Sequence, residues 1–460
     1  MKHSNSHIKA TAKVLLELLK KERSRLISEK VILDKKDNHT YPIQDVPFNI
    51  PNNWVWCYLS EISIIQEGPG IRKHQYTDEG IQFLTVTNIL EASVDLEKSQ
   101  KYISSEQYKN YSHFTVNKGD IVTACSGGSW GKSAIYELDD NIILNTSTLR
   151  LRFFNDLGDN QFLYYLTKTS YFKDSLSKHI TGQQPNYGYF HYSRIPIPLP
   201  PLPEQQRIVA ILDEAFAAIA KAKANAQQNL QNAKELFESY LQGVFENKGE
   251  GWEEKTLGEI GKVIGGYSFK STDFEKEGKY QVLRMGNVRP GIIRENENPV
   301  FINKLDESVL KRTLLLPNDV IITQTGTKNK RDYGFTVIIE NENYLLNQRI
   351  SAIRFAKNYL PKFFLYYSWT NLFKDQYFTN ETGTVGQGNV GIGAIKEAII
   401  PVVSLKTQQA IVQKLDALNA EAKKLESIYQ QKINDLEELK KSVLQKAFAG
   451  ELKTDKVVAV

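Results

Sequence analysis

The sequence predicts two copies of one α/β (α+β) module, each followed by a long helix. The two helices are expected to run antiparallel as a coiled coil, relating the copies by an approximate, pseudo-twofold symmetry. Three observations carry this reading. Segments recur in the same order at a near-constant offset, the mark of an internal duplication. Short apolar runs alternate with Gly/Ser/Thr loops inside each copy, as strands and turns do. After each copy the proline punctuation stops and a 3.5-residue apolar repeat begins.

The chain has 460 residues, 41% hydrophobic and 24% charged, ample for folded cores. No apolar run approaches the ~20 residues that crossing a bilayer requires, so no membrane partner is expected. Residues 1–50 form the first segment, opening with "MKHSNSHIKATAKVLLELLKK". Its leucine run is short, is followed at once by "KKERSR" and lacks a small-residue cleavage site, so it reads as an amphipathic helix and not as a signal peptide. Two cysteines, Cys57 and Cys125, cannot build a disulfide framework and suit a reducing cytoplasm. The net charge of +5 leans mildly toward polyanionic partners.

Residues 51–203 form the first module and residues 249–405 the second. "NWVWCYLSEI" from Asn53 matches "GWEEKTLGEI" from Gly251, and "LTVTNI" from Leu84 matches "LRMGNV" from Leu283. "GDIVTACSGG" from Gly119 matches "NDVIITQTGT" from Asn318. "NIILNTSTLRLRF" from Asn141 matches "NYLLNQRISAIRF" from Asn343. The duplication also removes a false lead. "ACSGGSWGKSAIY" ends in Gly131-Lys132-Ser133, the tail of a phosphate-binding loop, but the glycine required five residues before Gly131 is Ser126. The second copy carries "TQTGTKNKRDYGF" in its place. Likewise Gly386, Gly388 and Gly391 spell a dinucleotide fingerprint, but a helix-like stretch precedes them where a strand is required.

Residues 204–248 form the central helix. Its seam is read as Ile208, Leu212, Ala215, Ile219, Ala222, Ala226, Ala233, Leu236 and Tyr240, interrupted at Asn229. Residues 406–451 form the distal helix, with Ile411, Leu415, Leu418, Ala422, Leu425, Tyr429, Leu436, Leu439 and Val443 in the same phases, interrupted at Lys432; residues 452–460 are a tail. Alanine-rich facing bulky, the two seams are expected to pack on each other. Phe216, Phe237 and Phe448 fall beyond the seam and are expected to remain as apolar docking surface for partner proteins.

Catalytic signatures do not emerge. The seven histidines have no metal-ligand spacing, and neither a Cys-x-x-Cys nor a Gly-x-Ser-x-Gly motif occurs. The loops instead carry side chains suited to base edges, where Arg and Lys reach guanine, Asn and Gln reach adenine, and Ser or Thr serve either. In the first module these are Thr87, Asn88, Ser126, Ser129, Trp130, Lys132, Gln183, Gln184, Asn186 and Tyr187. In the second they are Arg284, Asn287, Arg289, Thr325, Thr327, Lys328, Asn329, Lys330, Arg331, Tyr333, Gln387 and Asn389. One scaffold with divergent loops suits a protein that reads two short sequences. A protein-binding adaptor, or a nucleotide-using enzyme built on Lys132, are the rival readings.

The order module, helix, module, helix resembles the specificity subunit of type I DNA restriction–modification systems. "PLPPLPEQQRIVAILDEAFAAI" (Pro200 to Ile219), its echo "VSLKTQQAIVQKLDAL" (Val403 to Leu418) and "PIQDVPFNIPNNWVWCYLSEI" (Pro42 to Ile62) carry the likeness. The second junction departs from the pattern, with "SLKTQQ" in place of "PLPEQQ". The resemblance implies a non-catalytic reader of double-stranded DNA with two target-recognition domains, each contacting half of a split site. It also implies that the helices set the spacer and dock two methyltransferase subunits, which motor-nuclease subunits join. S-adenosylmethionine, ATP and Mg would then sit on those partners, with no cofactor on this chain.

Overall fold

The computed structural model of the chain describes residues 11–33, 35, 43, 46–178, 185–341, 343–384 and 386–452. The chain divides into two compact units, residues 1–224 with 433–460 and residues 225–432. Both divisions fall inside the long helices, Leu202–Glu246 and Leu405–Phe448, so each helix contributes to both units.

In the first unit a four-stranded antiparallel sheet is ordered Ser63–Glu67, Thr148–Phe153, Ile121–Ala124, Ser133–Ile135. Ile121–Ala124 is buried at every position, as a strand covered on both faces must be. Thr148–Phe153 alternates instead, and its half-buried arginines, Arg150 and Arg152, reach the Asp120 carboxylate at 3.2 and 3.3 Å. A second sheet is ordered Tyr102–Ile103, Ile81–Leu84, Ile142–Leu144, Thr115–Val116, with its middle pair parallel. The incoming strand Val55–Tyr58 pairs antiparallel with the outgoing strand Pro196–Leu199. Prolines are tolerated in such a two-stranded ribbon because one edge needs no donors. The N-terminal helix Ala12–Ser28, capped by Thr11, buries Leu15, Leu16, Leu19 and Leu26 in this unit's core.

The second unit repeats the plan. Its main sheet is ordered Gly261–Gly265, Ile350–Phe355, Val320–Thr323, Thr336–Ile338, and Tyr280–Leu283 pairs parallel with Tyr344–Leu346. Glu253–Thr256 pairs with Ile399–Val402 as the incoming and outgoing strands. The duplication holds down to single hydrogen bonds. Asp319 accepts from both Nε and Nη2 of Arg354 at 2.7 Å and from the Leu316 amide at 2.9 Å. Asp120, its counterpart, accepts from the Asn117 amide at 2.8 Å.

Each helix is clamped to its module by one glutamine. Gln205 is fully buried; its Oε1 accepts from the Asp159 amide and its Nε2 donates to the Pro200 carbonyl, both at 3.0 Å. Gln408, equally buried, accepts from the Leu360 amide at 2.7 Å and donates to the carbonyls of Val403 (2.9 Å) and Asn358 (3.3 Å). The departure at the second junction therefore leaves the clamp intact, with Ser404 capping the helix through the Thr407 amide. Tyrosine hydroxyls add a second tie, Tyr165 to Asp213 and Tyr366 to Asp416.

The structure corrects the sequence in two places along the helices. Leu236 is 68% exposed, and Leu425 and Leu439 also face outward. The central seam runs instead through Ala226, half-buried Leu230, Ala233, Phe237 and Leu241, and the distal seam passes Ile433 and not Lys432. From Ile219 to Leu230 is an eleven-residue step, about 3.67 residues per turn, which moves the apolar stripe off a strict heptad. Phe448 is not a free docking surface: it is 1% exposed, its ring 5.0 Å from Phe162, within the first unit's core. Phe245 does the same in the second unit, 5.3 Å from Phe363. Phe216 and Phe237 lie against Tyr165 and Tyr366. These aromatics hold helix to module. In the first unit the helices are antiparallel, because Ile208 and Leu212 share a cluster with Leu444 and Phe448 while Lys223 pairs with Glu437.

Candidate nucleic-acid interface

In both units the loop after the central strand meets the loop before the last short helix. In the first unit Ser126 bridges to Asn186, the Tyr187 amide donates to the Cys125 carbonyl at 2.9 Å, and the Trp130 ring lies 5.3 Å from Tyr187. Asn186 is exposed, while Ser126, Ser129, Trp130 and Lys132 are half-buried; Thr87 is exposed on a separate turn. Gln183 and Gln184 lie outside the described residues. The Gly-Lys-Ser amides do not form a phosphate cradle, since those of Gly131 and Lys132 donate to the Ala124 and Ser129 carbonyls inside the turn. The Ser133 hydroxyl is buried against Thr167 at 2.9 Å.

In the second unit Thr325–Gly326 pairs with Gly388–Asn389 as a short ribbon. Glu381 ties the loops further, accepting from the Tyr333 hydroxyl at 2.8 Å and the Asn329 amide at 3.2 Å. Lys328 donates to the Gly383 carbonyl at 2.9 Å. Two adjoining clefts open here. One, of about 610 Å³, is bordered by Arg284, Arg289, Asn298 and Arg349. The other, of about 680 Å³, is bordered by Arg289, Thr325, Thr327, Gln387 and Arg349. Thr325 donates to Met285 Sδ at 3.1 Å on the wall between them. Basic forks and amides thus converge on one concave surface, the chemistry that phosphate and base-edge contacts need.

Several expected readers turn out to be scaffold. Asn88 is fully buried: its Oδ1 accepts from the Thr85 amide and hydroxyl, and its Nδ2 donates to the carbonyls of Asp95, Leu96 and Ser99. Asn287 repeats this, accepting from the Arg284 amide and donating to the Arg294 and Glu297 carbonyls. Both staple a turn, and their donors and acceptors are consumed. Tyr187 and Tyr333 are also buried; burial, then the Glu381 contact, pushes the Tyr333 hydroxyl well above the usual phenol range. Arg331 ion-pairs with Asp375 at 2.7 Å and lies 5.5 Å from the Phe378 ring centroid. Lys330, Asn329 and Gln387 are exposed, and Thr327 and Asn389 half-buried. Sequence reasoning missed Gln348 and Arg349, exposed in the turn between Tyr344–Leu346 and Ile350–Phe355. The available signal was a difference between the copies: "NTST" in the first stands opposite "NQRI" in the second.

Known proteins share this organisation. The chain is 25% identical over 431 residues to the specificity subunit of the type I restriction enzyme EcoKI of Escherichia coli K12, spanning 88% of this chain and 90% of that one. It is 27% identical over 197 residues to the MjaVIII specificity subunit of Methanocaldococcus jannaschii, 42% of this chain and 46% of that one. In fold it matches a chain from a structure on complex assembly and conformational transition of the type I R-M system, with a TM-score of 0.71 at 19% identity, covering 88% of this chain and all of the other. The HsdS subunit from Thermoanaerobacter tengcongensis matches with a TM-score of 0.57 at 20% identity, over 89% and 100%. The family model "Type I restriction modification DNA specificity domain" matches residues 51–230 and 249–437, one copy per module. With both modules matched over most of the sequence, the chain belongs to the type I restriction–modification DNA specificity family.

Proposed function

We propose that this chain is the sequence-specific DNA-binding specificity subunit of a type I restriction–modification complex and catalyses nothing itself. Each module reads one half of a split site in double-stranded DNA, and the helices fix the spacer. Two methyltransferase subunits dock on the helices, motor-nuclease subunits join them, and S-adenosylmethionine, ATP and Mg belong to those partners in the cytoplasm. The observation that carries this reading is the convergence, in both units, of paired loops on one scaffold with different side chains in each copy. Base contacts are local, so divergent loops give divergent half-sites.

The test is a domain exchange. Residues 50–203 are replaced by the equivalent module of a relative, the chain is co-expressed with its methyltransferase partners, and methylated adenines are mapped genome-wide. One half of the methylated motif changes while the other half and the spacer persist. A change in both halves, or in neither, refutes the reading.

A further inference from the structure

The turn between Tyr344–Leu346 and Ile350–Phe355 is rigid at its backbone and free at its tip. The Arg349 carbonyl accepts from the Gln324 amide at 3.0 Å, the Asn347 amide donates to the Leu283 carbonyl at 3.3 Å, and Ile350 N donates back to Asn347 O at 3.1 Å. Asn347 is buried, whereas Gln348 and Arg349 are exposed. Among the described residues no hydrogen bond or ion pair engages the Arg349 side chain.

The neighbouring arginines each already hold a partner. Arg284 donates to the Asn298 carbonyl, and Arg289 to the carbonyls of Gly286 (3.2 Å) and Val288 (2.8 Å). Arg331 is held by Asp375. Arg349 borders both clefts, so an uncommitted guanidinium stands on a pre-organised turn where the two meet. An arginine fork matches guanine O6 and N7 in the major groove, the commonest specific base contact. A rigid mount lowers the ordering cost of forming it. The first module has no such group: its equivalent residues are Thr146 and Ser147, and Thr146 donates to the Pro69 carbonyl at 3.2 Å.

We infer that Arg349 reads a guanine in the half-site contacted by the second module, an assignment that rests on the DNA-reading function above. Arg284 and Arg289 shape the cleft around it.

The experiment uses the full chain with its methyltransferase partners. The wild-type methylation motif is mapped, and binding is then measured to duplexes carrying that motif with each base pair changed in turn. Arg349→Ala loses roughly 5- to 150-fold discrimination at one G·C pair, the range a good base contact supplies. That pair lies in the half-site that moves when residues 249–405 are exchanged. Arg349→Lys keeps part of that preference, because an ammonium still reaches guanine O6 and N7 but lacks the planar fork. Both variants keep the wild-type melting temperature, since the side chain holds nothing in place. An unchanged preference at every position overturns the assignment. So does uniform weakening with a salt slope shallower by about one, the signature of a phosphate contact. If exchanging 249–405 moves neither half-site, the DNA-reading function itself fails, a result distinct from failure of Arg349 alone.

Discussion

Replacing Gln408 with leucine removes three hydrogen bonds from a fully buried site while nearly preserving volume. An exchange that left no group stranded would cost about 1 kcal/mol per bond, and each buried donor or acceptor left without a partner costs about 1–3 kcal/mol. The Leu360 amide is the critical loss, because it precedes the helix Pro361–Ser368 and has no other acceptor inside that helix. Leucine's apolar surface offsets part of this, so the net cost is about 2–4 kcal/mol. For a unit of this size that lowers the melting temperature by roughly 4–16 °C. Calorimetry gives the total, and hydrogen exchange on peptides spanning Asn358–Phe364 shows whether the loss is local. Gln409→Ala, at an exposed neighbour, serves as the control and costs nothing measurable. If Gln408→Leu melts within 1 °C of wild type, or its exchange pattern is unchanged, the clamp is not a structural anchor.

Three further outcomes follow from the same geometry. Asn287→Ala destabilises by about 2–3 kcal/mol without altering the methylated motif of the protein that folds, because the residue staples a turn; a shift at a single base position would restore it as a reader. Leu236→Glu and Ile428→Glu leave circular dichroism and melting unchanged, since both side chains are exposed, but weaken co-purification with methyltransferase subunits; undiminished assembly would remove these residues from the docking surface. Burial lowers the Lys168 pKa to about 8 from 10.5, while the unfolded chain keeps the proton until higher pH. Wild type therefore gains stability relative to Lys168→Met as pH rises from about 8 to 10.5, and a flat difference in melting temperature over that window would contradict the burial.

The duplication was legible because strands and their spacings repeat regardless of what the loops do. Asp120 and Asp319, Gln205 and Gln408, and the two incoming strands all sit inside segments that match between the copies. The helix phases were legible only in part. A strict heptad places Leu236 in the seam, but Leu230 substitutes for Asn229 and the stripe drifts, which a fixed 3.5-residue period cannot follow. Site residues were the least legible for a chemical reason. An asparagine that staples a turn and one that reads adenine need the same donor and acceptor, so Asn88 and Asn287 looked like readers until their partners were visible. Arg349 was passed over for the opposite reason, lying in a segment that had matched as scaffold.

The pairing of Val55–Tyr58 with Pro196–Leu199, and of Glu253–Thr256 with Ile399–Val402, has an evolutionary consequence. Each module leaves the chain beside the point where it began, so its interior is a closed loop tied off by a short ribbon. Mutation or genetic exchange inside that loop can rewrite the reading surface without shifting the register of the helix that follows. The two half-site vocabularies are thereby free to diversify independently, and a lineage could acquire new target specificity by importing one loop of coding sequence.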